Sequence, residues 1–574
     1  MKKGKYLLLC SAFALTLTSC TFLNFVSETP MESLTVDYYQ LTEFDSSVIH
    51  AEDEYLKGSA KLKYIKEEQY LPYITIEEYM NLLPFRNDFT YEVTRSSRNI
   101  YVTVGTKDYE NGAVGTAYCM VQIDTSFKEI SVAGSATEAL ILPDDIPEGL
   151  LDGLNYNAVY KNNAKSYNTY SYKNYGIKTP YNSGNRYFPL AFVDTFMSGV
   201  FGIHFHYNLI NLYSYVSETE LASYQFNDNG ANKTIFDKEK EIAQIKFGSI
   251  KPDYLIFQDR EIFMFLMENY YGLKTTRGIS SMKSYYQNQG WYDFLLNQNS
   301  NIRGKAYSNC LNLLNDDHTG VISNVAGSVW GEYADTTRGE KSISRSITTN
   351  NLRTSRQAKY TSLSQEYGSV LYSSDEKVAM ILFDSFDMED IAKVRTDFNL
   401  IKQKGTVKDV IIDISTNGGG YLFLLFKIQA LISKDGQFIA DLWDDNSGAI
   451  YEYYGEYDTN LDGDVDENDY YGDDFNFYLL CSDASFSCGN AFPCYAKIFN
   501  DATIIGEKSG GGECMVDSHI LPNMFGIAHS GNLHIGRYDS DTRKFNGFEG
   551  GAKVDISVDY EHYFDLEYLE NIIK

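Results

Sequence analysis

The chain has 574 residues, of which 43% are hydrophobic and 15% aromatic. It is therefore long and apolar enough for roughly two to four folded domains, which excludes wholesale disorder. Lys and Arg total 49 against 78 Asp and Glu, so the formal net charge is -29. Because binding to a polyanion depends on cationic side chains that release counterions, this charge argues against a nucleic-acid partner.

A targeting signal occupies the start of the chain. Lysines at positions 2, 3 and 5 precede an apolar stretch from Tyr6 to about Leu17, which is too short to span a bilayer. Leu-Thr-Ser then leads into Cys20, a pattern that resembles a bacterial lipoprotein signal. The resemblance implies cleavage after residues 1–19, acylation of Cys20 and a lipid anchor on the extracytoplasmic face of a cell membrane. A plain secretory signal with an incidental cysteine is the alternative.

Six cysteines remain beyond the leader cysteine Cys10 and the anchor cysteine Cys20. They stand at positions 119, 310, 481, 488, 494 and 514. No two of them have the C-x-x-C spacing, so neither a zinc knuckle nor a thioredoxin-type redox pair is indicated. Since an exported protein folds in an oxidising space, one or two disulfides in the C-terminal third stay open.

Three segments precede the C-terminal core. Residues 20–244 combine alternating runs with Asn-Gly turns, which predicts a β-containing module of unknown function. Within it, His204 and His206 flank a phenylalanine at strand spacing, but two histidines without a third ligand are more typical of a structural pair than of a metal site. Residues 251–320 show helical periodicity and end in Asp-Asp-His-Thr-Gly. Residues 321–374 are polar and predict a linker.

From residue 375 to 574 the pattern alternates between strand and helix. Apolar runs predict strands at 378–383, 410–414, 477–480 and 503–505, and amphipathic or apolar stretches predict helices at 388–402, 421–432 and 489–499. Helical crossovers of this kind imply parallel strand pairing. The C-terminal part is therefore predicted to be a layered α/β domain.

A glycine-rich turn follows the second predicted strand of this domain. The segment 413–420 has the sequence Asp-Ile-Ser-Thr-Asn-Gly-Gly-Gly and leads directly into a predicted helix. Glycines allow the backbone to approach a ligand closely, and the free N–H groups of such a turn can form half of an oxyanion hole. Phosphate binding is the rival interpretation, but the chain lacks both the P-loop ending and the G-x-G-x-x-G frame.

A serine-rich turn and a histidine supply the remaining reactive groups. Residues 480–490 lie between a buried strand and a helix, where a serine hydroxyl projects from the sheet edge beside a helix N-terminus. An ordinary helix N-cap is the simpler interpretation of such a serine. His318 closes a helix after two aspartates. A neutral imidazole is the usual base for a serine, and Asp316 or Asp317 could orient it.

Five segments, taken together, resemble a known superfamily of serine peptidases. In chain order they are DDHTG at 316–320, DISTNGGG at 413–420, SFSCGN at 485–490, IIGEKSGGG at 504–512 and FEGGAKVDISV at 548–558. The superfamily includes the tail-specific, or C-terminal processing, proteases, the tricorn core protease and retinoid-binding-protein-like repeats. The resemblance implies a crotonase-like, or ClpP-like, core with Ser487 as nucleophile, three residues before Asn490.

The identity of the base separates two branches of this superfamily. Relatives of the lysine type carry a lysine where this chain has Gly512, and Lys508 falls where they have an ordinary loop residue. The tricorn-like branch instead uses a histidine and a late glutamate, which map to His318 and Glu549. The branch has a serine before the histidine, whereas this chain has Asp317.

The resemblance implies a mechanism as well. Ser487 would attack a peptide carbonyl, with His318 as general base and then acid and Glu549 orienting or balancing the imidazole. The oxyanion would be held by amides from Gly418 or Gly419 and from Cys488. The expected substrate is a peptide or an unfolded protein, and no cofactor is needed for catalysis. The alternative is a catalytically silent lipoprotein that binds a peptide or apolar ligand in the same cleft.

A separate motif predicts a calcium site at 458–469, inserted before the serine-bearing strand. Oxygen-bearing side chains fall at loop positions 1, 3, 5, 9 and 12, a glycine at position 6 and an apolar residue at position 8, and position 7 offers its carbonyl. The predicted ligands are Asp458, Asn460, Asp462, Asp464, Asp466 and Asp469. The loop resembles the dockerin-type variant, and a solvated acidic hairpin is the alternative. The expected role of Ca²⁺ is structural.

Overall fold

The computed structural model of the protein describes residues 28–41, 55–108, 113–134, 140, 149–161, 168–216, 221, 224–228, 231–322, 339–367, 370–445, 448–522 and 526–574. The predicted signal peptide at 1–19 and the predicted lipidation site Cys20 lie outside the described residues. Within the described ranges, no helix combines the length and the apolar character that a bilayer-spanning helix requires.

Short strands dominate the first part of the chain. In order, β1–β16 are Met31–Gln40, Leu56–Ile65, Tyr73–Ile74, Phe89–Arg95, Asn99–Lys107, Val114–Asp124, Glu129–Ala133, Leu154–Tyr160, Asn168–Ser171, Tyr181–Asn182, Asn185–Arg186, Phe188–Pro189, His204–Tyr207, Leu212–Tyr215, Gln225–Asp228 and Ala231–Thr234. Helices α1–α6 are Ile76–Leu82, Leu190–Phe201, Ile235–Phe247, Asp253–Tyr270, Met282–Asn288 and Ser300–Asn312, and a 3₁₀ helix covers Tyr292–Leu296.

The N-terminal sheets and the following helices share one hydrophobic core. One sheet has the strand order β12, β3, β2, β1, β14, β13, and another has β4, β5, β6, β7, β9. A single cluster of buried residues joins both sheets to the apolar faces of α4 and α6. The predicted β-containing module and the predicted helical subdomain at 251–320 are therefore packed together as one body.

The second part of the chain alternates strand and helix as predicted. In order, β17–β28 are Gly320–Val321, Leu371–Tyr372, Val378–Leu382, Asp409–Asp413, Gln437–Asp444, Ala449–Tyr457, Asn476–Cys481, Ala502–Gly506, Cys514–Ile520, Gly526–Asp539, Lys544–Gly547 and Ile556–Ser557. Helices α7–α11 are Glu340–Tyr367, Met388–Lys404, Leu422–Ile432, Cys488–Phe499 and Leu566–Ile573, and a 3₁₀ helix covers Tyr560–His562.

A parallel sheet forms the centre of this part. Its strand order is β18, β19, β20, β23, β24, β28, and the pairs from β19 to β28 are all parallel. Helices cover the sheet, so strands such as Val378–Leu382 are almost wholly buried and consist of apolar residues. The predicted α/β core and the β-containing N-terminal module are both confirmed.

A second, antiparallel sheet ties the two parts of the chain together. Its order is β17, β26, β21, β22, β8, with β25 and β27 also paired to β26. Strand β8 comes from the N-terminal part and pairs with β22 from Leu154 opposite Tyr457 to Tyr160 opposite Tyr451. The N-terminal part therefore contributes a strand to a sheet that belongs mainly to the C-terminal part, a pairing that neighbouring residues in the sequence do not reveal.

Most of the predicted polar linker at 321–374 is the long helix α7. Over 340–359, the part of the helix whose side chains the structure describes, the buried side chains are few and recur on one face at helical spacing: Ser342, Arg345, Leu352 and Arg356. Since two of these four are arginines, this described part of the helix lacks the apolar stripe by which a buried helix is usually predicted. The linker interpretation is corrected for this reason.

The six cysteines beyond the anchor are all buried and all free. Since every one of them lies in the described part of the chain, none of the disulfides left open by the sequence forms among them.

Candidate active site

Ser487 occupies an unusual backbone position between the parallel sheet and α10. It stands at the N-cap of that helix, with φ of 57° and ψ of -124°. A non-glycine residue in this region is strained, and such strain persists only where the surrounding structure enforces it. Here the Phe486 amide donates to the Asn417 carbonyl at 2.9 Å and the Ser487 amide donates to the Gly511 carbonyl at 2.9 Å. Neighbouring loops on both sides therefore fix the turn.

The serines of this turn have different roles. Ser485 Oγ donates to the Ile414 carbonyl at 2.7 Å and also accepts from the Ser482 amide at 3.0 Å. Ser487 is the N-cap by position, yet its side chain makes no capping hydrogen bond. The ordinary capping role that the sequence left open is thus not what the Ser487 hydroxyl does.

Two backbone amides beside Ser487 are available to an anion. Gly419 N donates to Asn417 Oδ1 at 2.9 Å, so that amide is already in use. The amides of Gly418 and Cys488 make no hydrogen bond within the described part of the chain. A Cβ on Gly419 would lie 2.6 Å from Ser487 Cβ, and the φ of Gly419 is +105°. Gly419 therefore allows the two turns to meet, while Gly418 and Cys488 offer the donors.

His318 lies beside the serine turn without a hydrogen bond to the Ser487 hydroxyl. Its ring packs against the Phe486 ring with centroids 4.7 Å apart, and its backbone N–H donates to Asp316 Oδ1 at 3.2 Å. No hydrogen bond joins it to Ser487, and its Nδ1 is buried without a partner among the described residues. Burial lowers the pKa of His318, and the Asp316 carboxylate only partly opposes this. The imidazole is therefore neutral near pH 7.

Glu549 is held next to this site by backbone amides. Its Oε2 accepts from Gly512 N at 3.0 Å and from Glu513 N at 3.3 Å, and Arg277 lies 3.5 Å from Oε1. Burial raises the pKa of Glu549, and the charge of Asp316 raises it further. No hydrogen bond joins Glu549 to the His318 ring, so the structure gathers the predicted triad in one region without linking its members.

Arg345 of α7 is the functional-site residue that the sequence did not reveal. Its Nε donates to the Asp483 carbonyl at 2.7 Å, and a terminal nitrogen donates to the Gly510 carbonyl at 2.9 Å. The guanidinium lies 4.3 Å from the centroid of the Phe486 ring and forms an ion pair with Asp317. The Arg345 side chain thus connects the serine turn, the loop at Gly510 and the histidine loop, which carries Asp317 and His318.

A second arginine of α7, Arg356, supports the glycine-rich turn at 413–420. Arg356 donates to both oxygens of Asp384, at 2.8 and 2.6 Å, and to Thr416 Oγ1 at 2.9 Å. It also lies 3.6 Å from the buried Asp413 carboxylate. The aspartate that opens the glycine-rich motif is therefore a structural residue. The helical spacing of Arg345 and Arg356 is a signal in the sequence, but it cannot be distinguished there from a solvated helix face.

The lysine alternative finds no support in the geometry. Lys508 is exposed. At the position where lysine-type relatives carry their base, a Cβ on Gly512 would lie 2.5 Å from the Phe486 ring. A side chain at this position would therefore collide with the ring that precedes Ser487.

The acidic loop at 458–469 is organised by its own backbone. Asp458 accepts hydrogen bonds from the amides of Leu461 at 2.7 Å and Gly463 at 2.9 Å, and Asp469 accepts one from Asp466 at 3.0 Å. Gly463 has φ of 95°, which agrees with the glycine that a calcium loop requires at its sixth position. Asp458 and Asp469 are buried, while Asp462 and Asp464 are exposed.

Residues 377–558, about a third of the chain, match the model of peptidase family S41. This segment is a peptidase family S41 domain. The S41 domain contains the glycine-rich turn, Ser487 and Glu549, whereas His318 lies before it. The chain therefore carries a serine-type peptidase domain. Among curated proteins, no relative matches the sequence.

Solved structures resemble the chain at low identity. The photosystem II D1 C-terminal processing protease is 15% identical with a TM-score of 0.26, covering 33% of this chain and 44% of that one. A protein from Parabacteroides merdae described as a peptidase is 16% identical with a TM-score of 0.40, covering 56% and 97%. Mature CPAF complexed with lactacystin is 12% identical with a TM-score of 0.35, covering 56% and 97%. The chain thus spans less than half the length of the D1 processing protease.

Proposed function

We propose that the protein is a membrane-anchored, extracytoplasmic serine peptidase that cleaves peptide bonds through an acyl-enzyme on Ser487. The observation that carries the proposal is the position of this residue. Ser487 stands at a helix N-terminus with a strained backbone, its hydroxyl makes no capping hydrogen bond, and no described residue accepts from the amides of Gly418 and Cys488 beside it. Strain and free donors at one serine are typical of a nucleophile turn.

The reaction would proceed by acyl transfer. Ser487 Oγ attacks the carbonyl carbon of a bound peptide while His318 accepts the hydroxyl proton. The amides of Gly418 and Cys488 hold the oxyanion of the tetrahedral intermediate, and loss of one such donor costs about 3 to 4 kcal/mol at comparable sites. His318 then gives the proton to the leaving amine, and water attacks the ester in the second half of the reaction.

His318 has to approach Ser487 for this chemistry. Its ring contacts Phe486, the residue immediately before Ser487, and the proposed reaction requires the imidazole to move from there to the Ser487 hydroxyl. Catalytic hydrogen bonds are often loose in free enzymes and tighten when substrate binds. Glu549 supports the imidazolium through its negative charge, as does Asp316. In this proposal neither carboxylate takes up the proton.

Serine-directed labelling tests the nucleophile. A fluorophosphonate probe should label the wild-type chain at Ser487, and the chain should cleave an unfolded protein. Ser487→Ala should abolish both labelling and cleavage. Ser485→Ala is the matched control, because the Ser485 hydroxyl is already bonded to the Ile414 carbonyl. A wild type that takes up no probe, or a Ser487→Ala variant that still does, would overturn the proposal.

A catalytically silent binding protein is the second candidate function. The observation that favours it is the absence of a hydrogen bond between Ser487 and His318 in the described structure. In that case a peptide or apolar ligand would be recovered intact after long incubation, and Ser487→Ala would leave its affinity unchanged. If cleaved peptide is recovered from the wild type but not from Ser487→Ala, this candidate is excluded.

The membrane anchor is proposed at Cys20, on the support of the lipoprotein-like leader. Growth of the expressing cells with a labelled fatty acid should label the full chain in the membrane fraction. Cys20→Ala should remove the label and release the chain from that fraction. Retention of both would contradict lipidation at this residue.

Calcium is proposed as a structural ion in the 458–469 loop. The buried Asp458 and Asp469 at its ends and the left-handed Gly463 between them support this site. Calcium should raise the melting temperature, and a calcium-selective chelator should lower it. Asp462→Ala should remove this sensitivity, whereas Asp541→Ala, in an exposed turn elsewhere, should keep it. Equal chelator sensitivity in both variants would refute the site.

A further inference from the structure

A cluster of potential metal ligands lies on the hairpin formed by β25 and β26. Asp517 pairs directly with His529 across the two antiparallel strands, and His519 is two residues further along β25. Residues opposite one another, and residues two apart on one strand, share a face of a sheet. One ligand atom from each of the three side chains lies within 4.8 Å of the other two.

Within the described part of the chain, two nitrogens of this cluster are buried without a hydrogen bond. His529 is 0% exposed and His519 is 4% exposed. His529 Nδ1 donates to the Ser530 carbonyl at 3.1 Å, so its Nε2 carries a lone pair, and no described residue is a partner of that atom. His519 Nε2 lies 3.4 Å from Ser198 Oγ, and its Nδ1 has no partner among the residues described. Leaving such atoms unsatisfied is costly, so the arrangement calls for a ligand.

We propose that Asp517, His519 and His529 bind one divalent transition-metal ion, with Zn²⁺ as the best match. Two imidazoles and one carboxylate form a ligand set that Zn²⁺ favours, and three protein ligands leave a fourth position open. Bonds of about 2.0 to 2.1 Å place tetrahedral ligand atoms about 3.4 Å apart, so the side chains need to draw in by at most about 1.4 Å.

The surroundings already have the features of a metal site. The Ser530 carbonyl fixes the tautomer of His529, as outer partners do for metal-bound histidines. His204 of β13 lies beside His519, with ring centroids 5.3 Å apart, and its own Nδ1 lies 3.1 Å from Asp194. The ion would thus bind where the β25–β26 hairpin meets the N-terminal sheet.

A second cluster, Glu513, Cys514 and His534, is the natural comparison. Its members already form hydrogen bonds with one another: His534 Nδ1 lies 2.9 Å from Glu513 Oε1 and 3.5 Å from Cys514 Sγ. The other Glu513 oxygen accepts from the Glu549 amide at 2.7 Å. Among the described residues, one buried nitrogen of this cluster, His534 Nε2, has no partner, against two in the Asp517 cluster. Because His534 Nδ1 and both Glu513 oxygens already form hydrogen bonds, we assign the ion to the Asp517 cluster.

The location of the ion links it to the histidine loop. Strand β26 pairs Ala528 with Gly320, and the Ser530 amide donates to Thr319 Oγ1 at 3.2 Å. An ion on His529 would therefore stiffen the strand to which the loop bearing His318 is attached. This catalytic consequence rests on the proposed function, whereas metal binding itself does not.

Metal analysis of the full chain tests the site without an activity assay. After incubation with Zn²⁺ and dialysis, the wild type should retain about one zinc ion per chain and melt at a higher temperature than the zinc-free protein. His529→Gln and Asp517→Asn should lose both effects. His562→Gln, at a surface histidine, should keep both. Wild-type protein that retains no zinc, or ligand variants that retain it fully, would overturn the proposal.

Binding of Co²⁺ to the wild type distinguishes the two clusters. This test needs no substituted protein, so it remains valid even if the ligand variants fail to fold. Co²⁺ bound by Asp517, His519 and His529 should give visible d–d bands without a thiolate charge-transfer band. A strong thiolate-to-cobalt band would place the ion at Cys514 and refute the assignment. Lack of peptide cleavage together with normal metal binding would refute the proposed function alone.

Discussion

The serine turn and the histidine loop are built in different ways. Three backbone hydrogen bonds from other segments hold the turn: Phe486 to Asn417, Ser487 to Gly511, and Gly510 to Ser485. Among the described residues, the histidine loop is attached to other segments by the Asp317–Arg345 ion pair, the Thr319–Ser530 hydrogen bond, the packing of the His318 ring on Phe486 and the short β17 pairing. The nucleophile is therefore fixed by the fold, whereas the base is held by a few side chains.

The largest expected effect is that of His318→Ala. Loss of the general base should lower kcat/KM by about 1000-fold or more, while the melting temperature changes little because the loop contributes few contacts to the core. Peptide hydrolysis and a thermal melt measure the two quantities. His562→Ala, a surface control, should match wild type. A His318→Ala variant with full activity would show that the loop does not carry the base.

Gly419→Ala should damage the serine turn itself. The added Cβ would lie 2.6 Å from Ser487 Cβ at a φ of +105°, so the turn has to shift. We expect kcat/KM to fall by about 100-fold and the free energy of unfolding to fall by about 2 kcal/mol. Gly418→Ala is the stability control, because nothing lies within 4 Å of its Cβ position. Equal melting temperatures of Gly419→Ala and Gly418→Ala would contradict a rigid serine turn.

Arg345→Met tests the connection between the two regions. Removing the guanidinium leaves the Asp317 carboxylate without its cation, and breaking a buried ion pair in this way costs about 3 kcal/mol. We expect about a tenfold loss in kcat, because the histidine loop loses an outer attachment. Adding Asp317→Asn should restore part of the stability. Arg353→Met, at an exposed position of the same helix, should behave as wild type. If the effects of Arg345→Met and Asp317→Asn on the free energy of unfolding are additive, the two residues do not interact.

The smallest expected effect is on the pH profile. Burial lowers the pKa of His318 below its ordinary value of about 6.5. Because protonation removes the base, kcat/KM should fall as the pH decreases, with the midpoint of that fall below about pH 6.5. Asp316→Asn removes a charge that raises this pKa and should move the midpoint lower still. A midpoint above pH 7 would contradict a buried, neutral imidazole.

The parts of the structure that follow local rules could be predicted from the sequence. The run Val378–Leu382 is apolar throughout because both faces of its sheet are covered, and the segments 413–420 and 485–490 place glycines and a serine at strand ends. The role of Arg345 could not be predicted, since a buried arginine on a polar helix has the same pattern as an exposed one. The proximity of Asp517 and His529 could not be predicted either, because it depends on the register in which β25 and β26 pair.

Strand β8 has a practical consequence for work on isolated parts of the protein. A truncated chain that begins near residue 251 would lack Leu154–Tyr160, and β22 would lose the strand that pairs with it from Tyr451 to Tyr457. A bare edge of this kind readily recruits other chains, so the shortened protein should self-associate or fail to accumulate. Fragments for biochemical study are best started ahead of the first strand at Met31, even when only peptidase chemistry is of interest.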